Sequence, residues 1–140
     1  MSETANIELA RRLIAVYVVG DAGELETLVD RAYRDHAPNR IAVGPDGVRE
    51  SLRWLDATFA DREVEVEDIV AAQDRVVARV RFSATHVGEL EGIAATGRRV
   101  ETEHVHIWRV AGGRLAEHWM VRDDLTALRQ LGARVEPERS

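Results

Sequence analysis

The 140-residue sequence contains no cysteine and no lysine. Without cysteine, thiol nucleophiles, disulfide frameworks, iron–sulfur clusters and cysteine zinc sites are excluded, and the redox compartment stays open. All 19 basic residues are arginine, so no lysine Schiff base or P-loop lysine can belong to a mechanism. No run approaches the ~18 consecutive apolar residues of a membrane-spanning helix. The amino terminus MSETANIELARRL lacks the basic start and apolar stretch of a signal peptide, so a cytoplasmic location is expected. Positive charge is in deficit: the formal net charge of −6 argues against a broad nucleic-acid footprint, which needs clustered cations. Small molecules or proteins are the expected partners.

What is present is an ordinary globular composition, 45% hydrophobic and 31% charged. A single core commonly serves ~100–200 residues, and chains above ~70–80 residues rarely need a metal or disulfide staple. One domain over residues 1–134 is expected, with a frayed tail over 135–140. No internal repeat, low-complexity tract or interdomain linker interrupts the chain.

Leu9, Leu13, Val16 and Tyr17 share one face of a first helix that Gly20 can end. Asp21 and Glu24 have the form of a capping box ahead of a second, short helix carrying Leu25, Leu28 and Val29. The segment from Tyr33 to Val43, with Asp35, His36, Pro38 and Asn39, reads as extended chain or loop. Gly44, Pro45 and Asp46 then open a third helix whose apolar face is Val48, Leu52, Leu55 and Phe59, with Trp54 well off it.

From Glu63 the apolar period becomes two. Four strands are expected: Val64 to Val70, Arg75 to His86, Arg99 to Val110, and Arg114 to Arg122. Between the last two, Ala111, Gly112 and Gly113 suggest a three-residue turn with a glycine bulge, pairing His106 with His118 and His104 with Met120. A two-residue turn would shift that register by one. Asp123 and Asp124 precede a final short helix carrying Leu125, Leu128 and Leu131, and an N-cap is the simplest role for at least one of them.

Chemistry concentrates in histidine. Four of the five, His86, His104, His106 and His118, fall in the strand-rich half, and three share the last hairpin. His104 and His106, two apart on a strand, face the same side whatever the register. Imidazoles suit general acid–base work or carbonyl polarisation at neutral pH. Two alternatives stand beside this reading: structural histidines bonded to Glu101, Glu103 or Glu117, or a zinc or iron site, for which no carboxylate has a recognisable ligand spacing. Trp108 and Trp119 can stack on a planar ligand or simply fill the core. Arg79 and Arg81 share a strand face, and pairing with surface glutamates is the commoner outcome than holding an anion.

The order helix, helix, loop, helix and then sheet resembles the SnoaL-like polyketide cyclases of the nuclear-transport-factor-2-like superfamily. The similarity runs roughly from Ile7 to Gly132. Its most specific piece is THVGELEGIAATGRRV, Thr85 to Val100. Supporting pieces are Asp35-His36, the Gly44 to Val48 opening of the third helix, and GGRLAEHW, Gly112 to Trp119, followed by Asp123 and an LRQLG ending. The resemblance implies an α+β fold: a cone-shaped curved antiparallel sheet covered by three N-terminal helices enclosing an apolar pocket, with a short C-terminal helix. It also implies a homo-oligomer, dimer or tetramer, and a place in polyketide and antibiotic biosynthesis.

Family cyclases close a ring of an aromatic polyketide ester by intramolecular aldol addition, without metal or organic cofactor. A last-strand aspartate acts as acid–base, helped by a histidine on the preceding strand. The histidine matches His106, but the aspartate position is Met120 here, and methionine cannot move a proton. Three explanations stand: Asp123 or a histidine is the base, the pocket runs other chemistry such as cofactor-free hydroxylation or epoxide opening, or the protein only binds a ligand. The expected catalytic residues are His106, His118, His104 and Asp123. Those expected to contact a polycyclic substrate are Tyr17, His36, Trp54, His86, Trp108 and Met120.

Overall fold

The computed structural model describes residues 2–37, 40–134, 136 and 137. Pro38 and Asn39 lie outside the described residues, as do Val135 and residues 138–140 of the expected frayed ending.

Helix α1 (Glu3–Val19) starts where the Ser2 side chain accepts from the Ala5 N–H, and it stops at Gly20, whose φ of 79° is the left-handed conformation glycine tolerates. Its expected apolar face is the observed one: Leu9, Leu13 and Val16 are buried. Helix α2 (Leu25–Leu28) is a single turn. The expected capping box is not formed. Asp21 instead accepts from the Gly23 N–H at 3.0 Å, closing an Asx turn three residues ahead of Glu24, the observed N-cap position. Val29 leaves α2 and opens a strand.

The segment read as extended chain or loop is a strand pair, β1 (Val29–Ala37) and β2 (Arg40–Val43). Helix α3 (Gly44–Thr58) carries proline in its first turn, as expected, and buries Val48 and Leu52. Phe59, expected on that helix, is instead the first residue of β3 (Phe59–Ala72). Asp61, at φ 50°, and a register shift between Ala60 and Glu63 bend the chain there, which hides the strand's start from a period-two pattern. Strands β4 (Arg75–His86), β5 (Arg99–Ala111) and β6 (Arg114–Arg122) lie where the alternation places them. Helix α4 (Asp124–Gln130) begins at Asp123, which accepts from the Thr126 N–H.

The six strands form one curved sheet in the order β2-β1-β6-β5-β4-β3. Every pairing is antiparallel except β1 with β6, which is parallel. The last hairpin departs from the expected register. Its turn has two residues, Gly112 and Gly113, both at positive φ (58° and 76°), and Ala111 pairs with Arg114. A bulge then leaves Ala116 without a partner, so Trp108 pairs with His118, His106 with Met120, and His104 with Arg122. Turn and bulge together slip the register by two relative to expectation. An even slip keeps every side chain on its expected face.

The helices cover one face of the sheet. Leu13, Leu25, Leu28, Tyr33, Val48, Val76 and Trp108 anchor a main core between α1, α2, α3 and the strands. A smaller cluster of Phe59, Phe82, Ala84, Val100 and Leu131 closes the other end beneath α4. Truncating a fully buried leucine such as Leu13 to alanine costs ~2–5 kcal/mol in such a setting. Among the described residues, no helix is long and apolar enough to cross a membrane. The expected arginine face is a surface ladder: Arg79 bonds Glu67, Asp68 and Glu103, and Arg81 bonds Glu67.

Candidate active site

Between the two core clusters the covered face of the sheet leaves a cavity of about 520 Å³. That volume falls in the usual range for small-molecule sites. Its walls are apolar and aromatic, with Trp54, Leu55, Phe59, Val80, Phe82 and Trp108 prominent among them. Even-numbered residues of β5 from Val100 to Trp108, and of β6 from His118 to Arg122, line it. His104, His106, Trp108, His118, Met120 and Arg122 all line the cavity, joined by Thr102 at the β5 end.

A buried chain of hydrogen bonds runs along one wall. Asp35 enters from β1 because the parallel pairing sets it beside His118. Its Oδ1 lies 2.8 Å from His118 Nδ1, and both residues are nearly sealed from solvent, 5% and 3% exposed. His118 Nε2 in turn lies 2.9 Å from His106 Nδ1. A carboxylate has only lone pairs to offer, so His118 Nδ1–H donates to Asp35. The lone pair left on His118 Nε2 then accepts from His106 Nδ1–H. That assignment leaves His106 Nε2 unprotonated.

Stacking fixes the rings in this arrangement. The His106 ring lies parallel to Trp108 (5.2 Å between centroids, 7° between planes) and to His118 (5.1 Å, 16°). Burial, then the neighbouring His118, pushes the His106 pKa well below its ordinary value, so the imidazole is neutral near pH 7. His104 stacks on Phe82, shares a 3.2 Å hydrogen bond with the Thr102 hydroxyl, and is pushed down to about 4, first by burial and then by Arg122. Tyr17 lines the wall as a phenol held protonated by burial and by the Asp35 carboxylate, so its O–H stays available as a donor.

Seven expected site residues meet at the cavity: Tyr17, Trp54, His104, His106, Trp108, His118 and Met120. Three are placed elsewhere. His36 follows Asp35 on β1, and adjacent strand residues face opposite sides. It lies on the other face of the sheet, where its Nε2 meets Glu117 at 2.7 Å and its ring stacks on Trp119 at 3°. Trp119 therefore contacts a protein histidine and not the cavity. His86 is fully buried at the end of β4, where its Nδ1 accepts from the Thr96 N–H at 3.1 Å and ties down the loop that follows. Asp123 accepts from both the N–H and the hydroxyl of Thr126 as the exposed cap of α4, and these bonds lower its pKa.

Asp35 and Arg122 were not among the expected site residues. Asp35 sits two residues after the buried Tyr33, a spacing that signals a shared strand face once the segment is known to pair. Arg122 continues the alternation His118, Met120, Arg122 on the inward face of β6. Among the described residues, no three His, Asp or Glu side chains converge in an arrangement that would hold a metal ion.

A curved six-stranded sheet whose helix-covered face encloses an apolar, histidine-bearing cavity defines an α+β pocket protein. The chain belongs to the SnoaL-like polyketide cyclase family, whose profile matches residues 7–131. It is 30% identical over 133 residues to the aklanonic acid methyl ester cyclase DauD of Streptomyces sp. (strain C5), covering 90% of this chain and 81% of that one. It is 29% identical over 136 residues to the aklanonic acid methyl ester cyclase DnrD of Streptomyces peucetius, covering 92% of each. Among solved structures, TsrD from Streptomyces laurentii superposes with a TM-score of 0.85 at 32% identity, covering 94% of this chain and 98% of that one. Named relatives of this chain are thus enzymes of cyclase type, in agreement with the expectation from sequence.

Proposed function

We propose that the protein is a cofactor-independent acid–base enzyme of cyclase or isomerase type, acting on a polyketide-like polycyclic substrate, with His106 as the group that moves the proton. The observation that carries this reading is the Asp35–His118–His106 chain, which leaves the His106 Nε2 lone pair free beside Met120. Met120 cannot ionise, so the work of an acid–base aspartate passes to the neighbouring imidazole.

In this reading His106 Nε2 removes a proton from the carbon next to a substrate carbonyl. The resulting enolate carbon attacks a second carbonyl of the same molecule, and the alkoxide so formed takes the proton back from His106 Nε2–H. No atom is gained or lost. While His106 carries the proton, its Nδ1–H bond to His118, and that of His118 to Asp35, spread the positive charge toward a buried carboxylate. The depressed pKa keeps the imidazole in its base form at neutral pH and makes its conjugate acid a strong donor for the return step. The Tyr17 hydroxyl is placed to donate to substrate oxygen. The names of the relatives support a polyketide ester as substrate.

The test is mass spectrometry of products after incubation with aklanonic acid methyl ester and related polyketide esters, with and without oxygen. The expected product has unchanged mass and a new retention time, and it is lost in His106→Gln. An oxygen-dependent gain of one oxygen atom would refute the cyclase reading in favour of hydroxylation. Met120 favours a second reading, a binding module without turnover, and unchanged substrate that nonetheless binds tightly would establish it.

A further inference from the structure

The far end of the cavity from Asp35 carries a different polar feature. Arg122 stands directly across the β5–β6 pair from His104, and its guanidinium lies 5.7 Å from the centroid of the Trp54 ring. One Nη bonds Asp124 at 3.2 Å, and the side chain is 23% exposed. Its Nε–H is sealed from solvent and has no acceptor among the described residues. A buried donor without an acceptor is costly, and a ligand oxygen placed there would relieve that cost.

We propose that Arg122 is a specificity-determining residue that selects ligands bearing an anionic oxygen, whether carboxylate, phenolate or enolate, at the end of the cavity away from Asp35. The inference rests on the reading of this cavity as the substrate site. A planar guanidinium braced against an aromatic ring presents fixed N–H donors, and charge-assisted hydrogen bonds to oxygen anions are the strong ones. The acidic side chains around the cavity do not cancel it. Asp35 is committed to His118, Asp124 is itself 57% exposed and so screened, Glu91 is exposed, and Glu50 is engaged in an interaction of its own. His104, the nearest titratable partner across the strand, is neutral at pH 7 and adds no competing cation. Arg122 is the one arginine on the cavity wall among the described residues. In the proposed reaction its place suits the enolate or a phenolate of the substrate, while His106 works at the carbon.

The experiment compares two probes of equal shape, anthraquinone-2-carboxylate and anthraquinone-2-carboxamide, by quenching of Trp54 and Trp108 fluorescence at pH 7. The wild-type protein is expected to prefer the carboxylate by about tenfold or more. Arg122→Met should erase the preference and leave carboxamide affinity nearly unchanged, which also shows that the variant is folded. Arg122→Lys, which keeps the charge but not the Nε–H, should recover only part of it. Equal affinity for the two probes in the wild type, or a preference that survives in Arg122→Met, would overturn this inference alone. Binding of neither probe would overturn it together with the reading of the cavity on which it rests.

Discussion

His104 makes the fold sensitive to mild acid, by an amount that can be worked out. An unfolded histidine titrates near ~6.5. In the folded chain His104 is pushed down to about 4, chiefly by burial. Between those values the unfolded chain holds a proton that the folded chain refuses, so stability is fully present above the unfolded value and is lost as pH falls toward the folded one. The binding polynomial, RT ln[(1 + 10^(6.5−4))/(1 + 10^(4−4))], gives a loss of about 3 kcal/mol at pH 4. That is a large share of the ~5–15 kcal/mol that holds a typical domain together. Urea unfolding at pH 7 and pH 4 measures it, with His104→Gln as the reference that cannot titrate. Asp123 and Glu117, whose pKa values are lowered, also cost stability in acid, but they do so in both proteins. The wild type should lose about 3 kcal/mol more than the variant on acidification. Parallel losses would refute the assignment of a buried, neutral His104.

Turnover should keep its acid limb well below pH 6.5, because the base form of His106 is the active one and its pKa is depressed; a half-maximal rate at or above 6.5 would contradict this. His106→Gln should lower kcat by ~10²–10⁴, the usual contribution of a positioned base, while substrate still quenches tryptophan fluorescence. Asp35→Asn should impair kcat more than substrate affinity, because an amide can donate to His118 and reverse the tautomer that frees His106 Nε2; an unchanged pH–rate profile in this variant would exclude the chain. Gly88→Ala should destabilise the fold by about 2 kcal/mol or more, since a Cβ there would sit 2.0 Å from the Ala57 carbonyl oxygen and the backbone has no rotamer to give way. An unaltered thermal midpoint would contradict that contact.

The legibility of the chain follows the range of the interactions involved. Strands β4, β5 and β6 alternate on a half-buried sheet, so their limits can be read from Arg75, Arg99 and Arg114 onward. Helix α1 shows both of its ends locally, in Ser2 and Gly20. Strand β1 does not, because besides its neighbour β2 it pairs with a parallel partner more than eighty residues away, as the Asp35–His118 separation of 83 shows. For the same reason Asp35 is hard to see as a site residue: its carboxylate matters only beside an imidazole that the topology delivers. The hairpin register differs from the expected one because the Gly-Gly turn holds two residues and not three, and because the bulge at Ala116 leaves no mark beyond two adjacent buried residues, Leu115 and Ala116. His36 faces away from the cavity by one position of strand parity, with Asp35 the inward neighbour.

The unpaired Ala116 also constrains how this chain can change length. Turn and bulge each shift the hairpin by one residue, and only their combination delivers an even count to the end of β6. Deleting either alone would rotate the strand end by half a turn, turning Glu117, Trp119 and Val121 inward and casting out His118, Met120 and Arg122. Point mutation can therefore explore the cavity freely, whereas insertions and deletions near Gly112 and Gly113 survive only in compensating pairs. In this stretch the reading frame of the cavity is kept by the number of residues, together with the two glycines whose positive φ closes the turn.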